Sequence, residues 1–190
     1  MEKGMYRVCL TGHRPKDVAQ FMPQSSNPYD LHNQFWMSFM KNLLAHIKEL
    51  LDQHPEGLEL HSGMALGADM AWAGVIVVAR NRFGADKISF VADCPLPTQA
   101  SRWPQKSQDV WQRVVSLADT VNYVTKGAYY PSVMEERNQM MIQGCDECIA
   151  FWSGKNHGGT YNGVQDAKKN NVQIFQIKPQ TVTSSGKYLN

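Results

Sequence analysis

Short apolar runs recur along this chain, and between them lie longer stretches of helical periodicity; no other feature restricts the fold as much. The runs at 6–11, 58–61, 87–92, 120–124, 147–152 and 172–177 are rich in Val, Ile, Leu and Phe, and most are bounded by Gly, Pro, Asp or Asn, which reads as six strands. The intervening stretch 33–53 carries apolar residues at Phe35/Trp36, Phe39/Met40, Leu43/Leu44, Ile47 and Leu50/Leu51, close to a period of 3.6. Residues 67–82 include the run AWAGVIVVA, too long for one more strand and placed directly after one, so a buried helix is expected. Further helices are expected over 107–118, from the capping-box pattern Ser132-Val133-Met134-Glu135 onward, and over 159–170. An unbroken β-α-β-α order predicts an α/β fold, a mostly parallel sheet with helices on both faces and right-handed crossovers.

Composition sets the outer limits. With 190 residues, 43% hydrophobic and 19% charged, the chain has the make-up of one globular domain that needs no disulfide or metal staples. Residues 1–180 are expected to form that domain, and 181–190 (TVTSSGKYLN) a polar tail. The net charge of +2 does not announce a polyanion partner. The longest apolar run, 70–79, is fenced by Asp69 and Arg80 and is half of the roughly 20 residues a membrane span requires. The first residues are polar, unlike a secretory signal. Cysteines at 9, 94, 145 and 148 form no dense framework. A cytoplasmic protein with reduced thiols is the expectation. Cys145 and Cys148 precede a strand instead of opening a helix after one, so they are read as structural thiols, and no metal site is expected.

In a parallel sheet ligands sit beyond the carboxyl ends of the strands, which selects the loops that matter. The first strand runs into Thr11-Gly12-His13-Arg14-Pro15, where glycine permits close backbone approach and Arg14 offers a planar fork for phosphate or carboxylate. The second runs into Ser62-Gly63-Met64-Ala65-Leu66-Gly67-Ala68-Asp69 and then the buried helix. A glycine-rich turn entering a helix presents free N–H groups and a positive dipole end to an anion. It matches neither GxGxxG nor GxxxxGK[ST]. Arg137 falls on the apolar stripe of Val133, Met134, Met140 and Met141. An inward guanidinium needs an anion, either an internal carboxylate or a ligand phosphate, and Asn138 beside it can bond a ribose or base. After the fifth strand comes a second glycine-rich turn, Trp152 to Thr160, containing Gly158 and Gly159. His13, His61 and His157 all stand at strand ends.

Taken together, TGHRP at 11–15, HSGMALGADMAWA at 61–73, ADCPLP at 92–97, ERNQMM at 136–141 and DECIAFWSGKNHGGTYNGV at 146–164 resemble the SLOG superfamily, the Rossmann-like group of the LOG phosphoribohydrolases and the DprA/SMF proteins, and within it the YpsA-like branch. The resemblance spans nearly the whole chain. It implies a single Rossmann-like domain with a nucleotide-type pocket, binding a nucleoside phosphate or an NAD- or ADP-ribose-like molecule without a required cofactor. Phosphate-contacting roles are implied for Gly12, Ser62, Gly63, Gly158, Gly159 and Thr160, and a sugar or phosphate role for Arg137. Homodimers are implied on the same ground. LOG enzymes share PGGxGTxxE, whose Glu acts in cleaving an N-glycosidic bond; with Gly159-Thr160 on the GT, Gly163 stands where that Glu belongs. Binding or sensing is therefore the leading expectation. A hydrolase using another residue such as Asp69 is the alternative, and a DprA-like single-strand DNA binder is a third, disfavoured by the absence of a Lys/Arg run.

Overall fold

Period-two alternation sorts each strand between two cores. In β1 (Tyr6–Gly12) Val8 and Leu10 face one side of the sheet, while Cys9 faces the other. The structure, a computed structural model, describes residues 4–189. After β1 the order is α1 (Pro15–Val18), α2 (Gln34–Gln53), β2 (Leu58–Ser62), α3 (Ala68–Phe83), β3 (Ile88–Cys94), α4 (Gln105–Val115), β4 (Thr120–Tyr123), α5 (Val133–Ile142), β5 (Glu147–Phe151), α6 (Gly159–Lys169), β6 (Gln173–Ile177) and β7 (Lys187–Leu189). They build a seven-stranded sheet in the order β4-β3-β2-β1-β5-β6-β7, parallel except for β7. The fold is single-domain, α/β and Rossmann-like.

Successive strands first step outward from β1 to β4, then the chain returns across β1 to β5 and steps the other way. The helices follow. Phe35, Trp36, Phe39 and Leu43 of α2, with Ala71, Trp72 and Ile76 of α3, pack on Leu10, Leu60, Phe90 and Phe151. Met141 and Ile142 of α5, with Val164 and Ala167 of α6, pack on Cys9, Cys148, Ala150 and Ile174 of the opposite face. Asn33 starts α2 by accepting the Trp36 N–H at 3.0 Å. The Phe39 ring stacks on Phe151 at 3.9 Å, which secures the end of β5 from below. The reversal of strand order between β1 and β5 leaves a crevice at their carboxyl ends.

Three local features differ from the sequence expectation. Pro15, placed by the sequence in the loop after the first strand, occupies the first turn of α1, where its missing N–H costs nothing. Ser132 does start α5, but its hydroxyl donates to Glu136 Oε1 at 2.7 Å and does not cap a backbone N–H. Residues 187–189, within the segment set apart as a polar tail, pair antiparallel with β6, and Tyr188 donates its hydroxyl to the buried Glu147 at 3.0 Å. No helix among the described residues is long and apolar enough to cross a membrane.

Candidate functional site

The crevice has a volume of about 360 Å³ and is walled by the β1–α1 loop, α5 and the first turn of α6. Gly12 permits it to exist: a Cβ there would collide with Ala68 Cβ and lie 3.1 Å from Phe151 Cβ, so only glycine lets β1 end against the start of α3. His13, next in sequence, turns inward and is buried. Its Nε2 accepts the Ser153 N–H at 2.9 Å, and its Nδ1 faces Thr160 Oγ1 at 3.5 Å. Burial holds its pKa below the usual histidine value, with Asp17 opposing and Lys155 reinforcing that shift. The imidazole clamps the loop after β1 to the loop after β5 and lies beside Thr160 in the first turn of α6.

Arg137 is 4% exposed and Asp69 5% exposed, and their Nη1 and Oδ2 atoms are 3.0 Å apart. The inward guanidinium thus has an internal carboxylate beside it, and Arg137 also lines the crevice. Its Nε has no hydrogen-bond partner among the described residues. The guanidinium lies directly over Gly63, where any Cβ would overlap Nη1 and Cζ. Gly63 therefore makes room for arginine. Ser62 is likewise spent inside: its hydroxyl donates to the Asp69 carbonyl at 2.9 Å and accepts the Met64 N–H at 3.2 Å. Gly67, with φ +97°, packs its backbone against His13 O and Pro15. The turn from Ser62 to Asp69 is closed upon itself, and of it only Asp69 lines the crevice.

The anion-seeking groups lie opposite. Arg14 is half-buried; its carbonyl accepts the Asp17 N–H at 3.0 Å, but its guanidinium forms no hydrogen bond or ion pair among the described residues. Burial lowers its pKa from the usual arginine value; Arg137 adds to this, while Asp69 and Asp17 oppose it. A guanidinium in that setting gains from an incoming anion. Across from it α6 is preceded by Gly158, which provides no side-chain cap, and the N–H groups of Gly159, Thr160 and Tyr161 find no acceptor among the described residues. Lys16 and Asp17, which sequence reasoning did not single out, also line the crevice; they are brought there by the turn of helix that Pro15 opens. Asn138 and Met134 close the α5 side.

Gly163 is set against Thr11, whose Oγ1 would be 2.5 Å and Cβ 3.1 Å from any Cβ at that position. Helix α6 rests on β1 at this point, so a carboxylate side chain has no space. The three strand-end histidines do not converge. His61 bonds Asp93 at 2.7 Å and Glu59 at 2.9 Å, whereas His157 is exposed beside Asn156. Among the described residues no group of His, Cys, Asp or Glu is arranged to hold a metal ion.

The family described as YspA SLOG matches residues 8–182. Among curated proteins the chain is similar to a UPF0398 protein of Bacillus pumilus, 26% identical over 85% of this chain and 81% of that protein. It is also similar to the uncharacterized SPbeta prophage-derived protein YoqJ of Bacillus subtilis, 24% identical over 78% of this chain and 92% of that one. Among solved structures it resembles DNA processing protein A (DprA) of Streptococcus pneumoniae, with a TM-score of 0.57 and 14% identity over 90% of this chain and 50% of that one. DNA processing protein A of Helicobacter pylori, described as having a unique single-stranded DNA binding mode, gives a TM-score of 0.55 and 16% identity over 91% and 65%. The chain spans half of the first of these and under two-thirds of the second, and the likeness is one of fold.

Proposed function

We propose, for a chain that belongs to the YspA SLOG family, that the crevice between β1, α5 and α6 binds a small phosphate-bearing ligand of the nucleotide type. The observation that carries this reading is the unpaired, half-buried Arg14 facing the uncapped N-terminus of α6. A dianionic phosphate satisfies both at once, accepting from the guanidinium fork and from two or three N–H groups. Lys16 adds a second cation at the rim, and Asn138 supplies an amide for a sugar hydroxyl or base edge. The volume of about 360 Å³ suits a nucleoside monophosphate or one half of a larger nucleotide.

Binding or sensing fits the chemistry better than hydrolysis. Of the two carboxylates that line the crevice, Asp17 and Asp69, the latter is already committed to Arg137, and position 163 has no room for another. In a thermal-shift series with inorganic phosphate, AMP, ADP, NAD, ADP-ribose and a poly-dT oligonucleotide, ligand at about 100 times Kd adds about 2.7 kcal/mol. For a chain of this length that raises Tm by about 5–11 °C. A shift with one or more mononucleotides that Arg14→Ala abolishes supports the reading. A shift with poly-dT alone would replace it with single-strand nucleic-acid binding.

A further inference from the structure

Within the crevice the Arg137–Asp69 pair offers a different chemistry from the loop that carries Arg14. Arg137 Nη1 donates to Asp69 Oδ2 at 3.0 Å, and the same oxygen receives the Ala65 N–H at 3.4 Å. Asp69 Oδ1 and Arg137 Nη2 hold no hydrogen bond among the described residues, and unlike Arg137 Nε they are not sealed from solvent. Both residues are buried, and the crevice is the cavity that both of them line. The turn before α3 holds the carboxylate in place. Ser62 Oγ donates to the Asp69 carbonyl at 2.9 Å, and Gln99 Nε2 pins the turn from outside by donating to the Gly63 carbonyl at 3.1 Å. Met134 and Met141, three residues before Arg137 and four after it, share its face of α5 and also line the crevice.

We propose that this pair reads the hydroxyls of a ribose, so that the ligand is a ribonucleotide or ribose phosphate and not its deoxy counterpart. The inference rests on the phosphate site at Arg14 and the start of α6, and it adds the direction in which the ligand lies. An ion pair without net charge is a poor seat for a second phosphate, which the Asp69 carboxylate repels, and for a cation, which the guanidinium repels. Its free acceptor and free donor suit a neutral group that donates and accepts at once, and a hydroxyl does both. Two vicinal hydroxyls match the pair in full: one donates to Asp69 Oδ1 and the other accepts from Arg137 Nη2. The methionine walls cover the carbon face of the sugar ring and lower the local dielectric, which strengthens these bonds. The turn and the guanidinium already fix the carboxylate, so little reordering is needed when the sugar arrives. A ligand without the hydroxyls displaces water from both charged groups and returns no partner to either, which makes the pair a selector. DNA lacks one of the two hydroxyls and fits correspondingly worse.

The test is calorimetric titration of the full-length protein with inorganic phosphate, AMP, dAMP and dideoxy-AMP, the last lacking both ribose hydroxyls. AMP should bind tightest and dideoxy-AMP about 10- to 150-fold more weakly, with dAMP between them. Single substitutions in the pair risk misfolding, so the variant is Asp69→Asn/Arg137→Met, which removes both charges together. It should bind AMP and dideoxy-AMP with equal affinity. Equal affinities for AMP and dideoxy-AMP in the wild type, where Arg14→Ala weakens both, would overturn the sugar assignment and leave the phosphate site standing. A preference for AMP that persists in the double variant would place the ribose elsewhere and overturn the assignment as well. Failure of both phosphate and AMP to bind, or binding that Arg14→Ala leaves unchanged, would remove the phosphate site and this inference with it.

Discussion

Arg137→Ala isolates what the buried pair contributes. The guanidinium is 4% exposed and its partner Asp69 is 5% exposed, so neither charge has water to fall back on. Removing one partner of a buried pair leaves the other uncompensated, at a cost of about 3–5 kcal/mol. A chain of this length loses about 2–4 °C of Tm per kcal/mol, so the variant should melt about 6–20 °C lower. Replacing both members behaves differently, because the desolvation cost of both charges disappears together. The double variant Asp69→Asn/Arg137→Met should recover at least about 2 kcal/mol relative to the sum of its singles. Gly63→Ala should reproduce most of the Arg137→Ala loss, since its Cβ occupies the space of the guanidinium. Urea unfolding of these variants beside the wild type gives the required free energies. Additive losses, or an Arg137→Ala cost under about 1 kcal/mol, would refute the idea that this pair props up the crevice wall.

Other perturbations test separate parts of the account. Gly163→Ala forces a methyl against Thr11 Oγ1 at 2.5 Å and should cost about 1–3 kcal/mol in urea unfolding, with Thr11→Ala relieving part of it. Asn33→Ala removes the cap that accepts the Trp36 N–H and should cost about 1 kcal/mol, visible as a drop of about 2–4 °C in Tm. His61 should make stability pH-dependent. Burial opposes its charge, but the bonds to Asp93 and Glu59 win and raise its pKa above 6.5. A raised histidine pKa means the folded state holds the proton more tightly, so this stabilisation is complete below about pH 6.5 and fades as pH rises through the folded value. The advantage of wild type over His61→Gln, measured by urea unfolding from pH 5.5 to 9, should therefore shrink with rising pH; an advantage that grows would contradict the assignment.

Much of the fold was legible because strand and helix periods alternate along the chain, with length deciding the apolar run at 67–82, and the crevice followed from the rule that parallel sheets bind ligands at strand ends. Arg137 was legible for an electrostatic reason: a cation on an apolar stripe must have an anion. Which anion was not legible, because Asp69 and Arg137 are 68 positions apart and only the packing of α3 against α5 brings them together. The internal contacts of the turn from Ser62 to Asp69 were not legible for a related reason. Glycines that would serve a phosphate serve equally well to admit a guanidinium and a neighbouring loop, and the two uses look alike in sequence. Lys16 and Asp17 were missed because the loop was read only as far as Pro15, which in fact starts a helix. The edge strand at 187–189 has only Tyr188 and Leu189 to mark it, and its pairing depends on β6 being within reach.

The account depends above all on the division of labour in the crevice, with Arg14 free for the ligand and Arg137 engaged by Asp69. Calorimetric titration of AMP, or of whichever nucleotide gives the largest thermal shift, into wild type and Arg14→Ala tests it most directly. Loss of a charge-assisted bond to phosphate removes about 1.5–3 kcal/mol, so the Arg14→Ala affinity should fall about 10- to 150-fold, while its Tm without ligand should stay within about 2 °C of wild type because the Arg14 side chain has no hydrogen-bond or ion-pair partner among the described residues. Unchanged affinity in a stably folded Arg14→Ala protein would contradict the assignment of the anion to this loop.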